Sequence, residues 1–87
     1  MTHWRSQTES ERKILAEKLR HARETARLTQ REVARRLSIP QSTISELENG
    51  QRRLDVAELL LLAELYGRSA MWFIDRGQGD GPGSDAG

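Results

Sequence analysis

The chain has 87 residues, no cysteine and a formal net charge of +1. That length bounds one small domain, marginal unless its core packs well or the chain associates, and the lack of cysteine excludes disulfides and thiolate metal sites and suits a reducing cytoplasm. The longest apolar run, Leu59 to Ala63, is too short for a bilayer, the opening MTHWRSQTESE is too polar for a secretion signal, and His3 and His21 stand isolated without a glycine-rich phosphate loop or paired catalytic carboxylates. No enzymatic, metal or cofactor site is therefore expected.

Start and stop signals predict an all-α chain of five helices. The first begins near Thr8 or Ser10, with Thr8 and Glu11 spaced as a capping box, and runs to about Ala26. It should bury Ile14 or Leu15, then Leu19, Ala22 and Ala26, with Leu28 following as a plug. Thr29-Gln30-Arg31-Glu32 is a full capping box that opens the second helix. Val33, Ala34 and Leu37 share one face of that helix, and Ile39 sits on the turn after it. Pro40 is tolerated at a helix start but not inside one, so the third helix should occupy roughly Gln41 to Glu48. Asn49-Gly50 ends it with residues that accept positive φ.

Asp55 and Glu58 cap a fourth helix that stops at Gly67, and Ser69 caps a short fifth one reaching about Asp75. On a helical wheel Val56, Leu59, Leu60, Ala63 and Tyr66 form the core stripe of the fourth helix, with Leu62 at its edge. Leu61 and Leu65 then face the other way. Phe73 and Ile74 are expected to plug the core. Residues 1–9 read as an arm, 10–76 as the folded domain, and 77–87 (GQGDGPGSDAG) as a disordered tail.

The third helix buries Ile44 and Leu47 and turns out Gln41, Ser42, Ser45, Glu46 and Asn49, short or amide-bearing groups suited to hydrogen bonding. A helix pair whose second member shows such a face has the geometry that enters a DNA major groove. Charge supports a polyanion on the same part of the chain: residues 11–53 hold eleven Lys/Arg against six Asp/Glu, whereas residues 54–87 hold two against six.

These residues resemble the Cro/repressor type of helix-turn-helix regulator, a five-helix, lambda-repressor-like DNA-binding domain. The likeness spans about Leu15 to Ile74. It rests on Leu28-Thr29-Gln30, Glu32, Ala34, Leu37, Ser-Thr-Ile-Ser at 42–45, Glu48, Gly50 and the Leu-rich fourth helix. It implies that Gln41, Ser42, Ser45 and Glu46 face base edges. Gln41 suits adenine and Glu46 the amino group of cytosine. It also implies that Gln30, Thr43, Asn49, Arg52 and Arg53 lie against phosphate, and that Arg23 and Glu48 form a structural ion pair. Thr43 and Glu46 also admit plainer roles, packing and a solvated charge. Three positions depart from the family pattern: Ser38 and Arg27 where glycine is usual, and Pro40 in place of a capping serine.

Leu61 and Leu65, with Met71 and Trp72 nearby and Trp4 from the arm, suggest an apolar patch for a homodimer interface, or one for a second protein. Symmetric dimers suit pseudo-palindromic operators. The sequence is thus expected to encode a cytoplasmic transcriptional repressor that binds double-stranded DNA. An antitoxin that binds both operator and toxin is the alternative, and a helical adaptor that never touches DNA is the third reading.

Overall fold

Each of the five helices in the computed structural model, which describes residues 8–75, can be traced to a local chemical signal. Three begin with reciprocal capping boxes: Thr8 with Glu11, Thr29 with Glu32, and Asp55 with Glu58. In each, the cap oxygen accepts a first-turn N–H while the glutamate reaches back to the cap's own N–H, satisfying two donors that have no intrahelical partner. They open α1 (Glu9–Thr25), α2 (Gln30–Leu37) and α4 (Val56–Tyr66). The hydroxyl of Ser69 accepts from the Trp72 N–H to start α5 (Ala70–Ile74). Only α3 (Gln41–Glu48) lacks a side-chain cap, because Pro40 occupies that position.

Four helices close in the same way. Arg27, Ser38, Gly50 and Gly67 each adopt a left-handed backbone at φ 63°, 58°, 72° and 72° respectively. After each, the next N–H folds back to a carbonyl one turn earlier: Leu28 to Arg23, Ile39 to Ala34, Gln51 to Glu46 and Arg68 to Ala63. This double hydrogen bond satisfies carbonyls the helix end would otherwise leave open. Asn49 itself stays at negative φ and leaves the left-handed role to Gly50. At Gly50 an added Cβ would also sit in contact with Lys13, at 3.4 Å.

Phe73, Leu19, Ile44 and Val33 are the largest fully buried side chains, and they join α5, α1, α3 and α2 in one core with Leu47, Leu54, Leu59, Leu62 and Tyr66. Ala16, Ala22, Ala34 and Ala63 are buried with them and let helices approach closely. Leu15 packs against this core whereas Ile14 is exposed. Burial and the nearby Glu48 carboxylate push the Tyr66 phenol well above its usual range. Among the described residues there is no strand, and no helix is long and apolar enough to cross a membrane.

Two expectations need correction. Val56 and Leu60 are 60% and 55% exposed rather than core, and Leu62 takes the inward place. The true stripe is Leu59, Leu62, Ala63 and Tyr66; with apolar residues around most of α4, periodicity alone does not choose among registers. Ile74 is exposed, because Phe73 beside it fills the core. Thr8 caps α1 and Glu9 begins it, in keeping with the start expected near Thr8 or Ser10. Trp4, His3 and the tail at 77–87 lie outside the described residues.

A non-glycine residue held left-handed is strained by about 1–2 kcal/mol, more than the roughly 0.4–1 kcal/mol of unfolded-chain entropy that glycine brings. Ser38→Gly and Arg27→Gly should therefore each stabilise the domain by about 0.5–1 kcal/mol, read as a higher urea midpoint at unchanged slope. A lowered midpoint would show that either side chain makes a contact outweighing the strain.

Candidate nucleic-acid interface

Helix α3 is held by its inward residues Ile44, Leu47 and Glu48, all buried. That leaves Gln41, Ser42, Glu46 and Asn49 exposed and Thr43 and Ser45 half-exposed on the opposite side. Among the described residues no hydrogen bond or ion pair engages any of these six side chains. The helix contains no lysine or arginine. The surface is therefore a strip of hydroxyls, amides and one bare carboxylate, open to solvent, with hydrogen-bonding capacity that no other part of the fold uses. The exposed Arg31, Arg35 and Arg36 of α2, and Arg52 and Arg53 after α3, supply cations on the neighbouring elements.

A buried carboxylate fixes how this strip is presented. Glu48 is 3% exposed and accepts from three donors at once. Arg23 donates from Nε to Oε2 at 2.7 Å and from Nη2 to Oε1 at 3.0 Å, and Gln30 donates from Nε2 to Oε1 at 3.0 Å. The remaining Arg23 donor, Nη1, reaches the Leu28 carbonyl at 2.8 Å. The bond to Glu48 raises the Arg23 pKa further, against the pull of burial. One side chain of α3 is thereby tied to α1 and α2. Just beyond the same end of the helix, Arg12 Nε donates to the Gly50 carbonyl at 3.1 Å.

The residues assigned to phosphate differ in how free they are. Gln30 already gives an amide N–H to Glu48, so what it offers an anion is its second N–H and its main-chain donor in the first turn of α2. Nothing in the sequence signalled that contact, since the two residues lie on different helices. Arg52 is paired with Glu58 at 3.2 Å, both partly exposed. Such a surface pair is worth about 0–1 kcal/mol and opens readily against a stronger anion. Thr43 and Asn49 have no competing partner among the described residues.

The proposed dimer patch is rearranged. Leu61 and Met71 are 52% and 66% exposed, but Leu65 is half-buried against the core. Trp72 is half-buried too, with the Arg68 guanidinium 4.0 Å from its ring centroid, Lys18 Nζ at 5.4 Å and the His21 ring at 6.1 Å. Lys18 also donates to the Trp72 and Asp75 carbonyls. Trp72 is thus covered largely by its own chain, and cation–π contact accounts for it without a partner. The exposed apolar residues of α4 are instead Val56, Leu60 and Leu61.

A family model described as a helix-turn-helix domain matches residues 14–70, roughly two-thirds of the chain. The matched stretch contains α2, the turn, α3 and all of α4. No curated protein matches the sequence.

Removing one member of a buried ion pair leaves the other charge uncompensated, at a cost of about 3–5 kcal/mol. Glu48→Ala should lower the unfolding free energy by that amount, and Arg23→Met with Glu48→Leu should cost less than Glu48→Ala alone. A Glu48→Ala loss below about 0.5 kcal/mol, the range of neutral surface changes, would show that the carboxylate does not hold α3.

Proposed function

The chain belongs to the helix-turn-helix domain family, of the Cro/repressor type its sequence resembles, and from that premise we propose that it is a sequence-specific transcriptional repressor of the cytoplasm. The observation that supports this most is the outer face of α3, whose polar side chains are exposed and unengaged while its inner face is locked. Domains of this family bind DNA, and the reading assigns Gln41, Ser42, Ser45 and Glu46 to base edges in the major groove. Gln30, Thr43, Asn49, Arg52 and Arg53 then set register against phosphate. Repression follows from occupying an operator and excluding polymerase.

A recognition helix eight residues long reads only a few base pairs. Two copies related by a two-fold axis double that number, on half-sites about 34 Å apart. The face of α4 bearing Val56, Leu60 and Leu61 is our choice for the homodimer contact, since exposed aliphatic side chains recur there at helical spacing.

The DNA reading is tested with a duplex selected from a random pool. Log affinity should fall linearly with log salt concentration. Gln41→Ala should cost roughly 1–3 kcal/mol on the selected site, relax one base position, and leave binding to random DNA unchanged. Equal loss on both DNAs removes Gln41 from readout, and salt-independent binding or none removes the function. For the dimer, Leu60→Lys with Leu61→Lys should yield a folded monomer in sedimentation where the unaltered chain is a dimer. Persistence of the dimer in that variant would exclude the α4 face.

A further inference from the structure

Resting on the DNA-binding reading and carrying it to a particular base, we infer that Glu46 selects cytosine at one position of each half-site and acts as a brake on binding elsewhere. The two carboxylates of α3 are treated in opposite ways by the fold. Glu48 is buried and saturated by Arg23 and Gln30. Glu46 is exposed, in a helix with no lysine or arginine, and among the described residues no ion pair or hydrogen bond engages its side chain. Its charge is neutralised by nothing on its own helix, and it lies four residues from Ser42 on the same outer face.

A bare carboxylate brought to a duplex is repelled by phosphate unless it meets a donor, and at neutral pH it can only accept. In the major groove guanine presents two acceptors, N7 and O6, and thymine presents O4 and a methyl group. Adenine offers its N6 amino group beside the N7 acceptor, which opposes a carboxylate. Cytosine offers the N4 amino group with no acceptor of its own on that edge. Glu46 therefore has one favourable base and three unfavourable ones. The absence of arginine and lysine from α3 agrees with this, because the commonest guanine contact is missing from the helix.

Such a group works by difference. It strengthens the correct complex through a charge-assisted bond and weakens all others by repulsion, so removing its charge has opposite effects on the two kinds of DNA. The test is selection from a random duplex pool with the unaltered chain and with Glu46→Gln, followed by affinity measurements on the selected site and on random DNA. We expect an invariant C·G pair in the first pool. In the second, that position should change to adenine, which an amide suits, or lose its preference. Glu46→Gln should bind the original site roughly tenfold to hundredfold more weakly while binding random DNA more tightly. As Glu46 is exposed, the variant should melt like the parent. The same cytosine in both pools, or weaker binding to random DNA, overturns the assignment while leaving DNA binding intact. Absence of salt-dependent binding by the unaltered chain overturns both.

Discussion

A single buried carboxylate sets the presentation of α3. Apolar burial of Ile44 and Leu47 presses the helix onto α1 and α2, but hydrophobic contact is non-directional and tolerates rotation about the helix axis. The paired bonds from Arg23 to Glu48, with Gln30 on the same carboxylate, do not tolerate it. A planar guanidinium engaging both oxygens fixes orientation as well as distance. Turning Glu48 inward is what turns Gln41, Ser42 and Glu46 outward. An eight-residue helix without a side-chain cap has little stability of its own, so this tertiary anchor decides both that α3 is helical and which side it shows.

The turn before α3 works under the same constraint from the other end. Ser38 is left-handed, Ile39 returns its N–H to Ala34, and Pro40 stays extended at φ −63° and ψ 144°. Proline at that position loses no needed hydrogen bond and narrows the directions in which the next helix can leave. Strain at Ser38 and rigidity at Pro40 thus favour one path, on which Glu48 arrives beside Arg23. A more flexible turn would have to find that meeting by search, at a greater cost in conformational entropy.

Helix boundaries were legible because their causes are local. Thr29 with Glu32 and Asp55 with Glu58 cap as their spacing implies, and Pro40 and Gly50 bracket α3 where expected. The Arg23–Glu48 pair was legible only through family resemblance, since residues 25 apart carry no pairwise signal in one sequence. The rotation of α4 was legible in part: Leu59, Ala63 and Tyr66 point inward as expected, whereas Val56 and Leu60 do not. A run of four leucines from Leu59 to Leu62 offers competing stripes, and the choice is made by Phe73 and Tyr66 filling the same core. The surroundings of Trp72 were not legible either: Arg68, Lys18 and His21 come together around its ring from α1 and the turn before α5, which no local spacing signals. Gln41, Ser42 and Glu46 are exposed as their spacing implies and Ser45 is half-exposed, but the bond from Gln30 to Glu48 depended on packing that no spacing rule contains.

The charge pattern of the site has a physical consequence for how a small domain of this kind can discriminate. Cations sit on α2 and after α3, whereas α3 itself carries only Glu46 exposed and Glu48 internally neutralised. On the proposed reading, arginines near phosphate supply affinity that is insensitive to sequence and weakens as salt rises. The face of α3 supplies hydrogen bonds at short range, with little long-range attraction to any DNA. Affinity and discrimination thereby reside on different elements and respond differently to ionic strength. Were the cations on α3, tight binding to every sequence would accompany tight binding to one. Placing them beside it lets the reading helix remain selective while its neighbours hold the duplex.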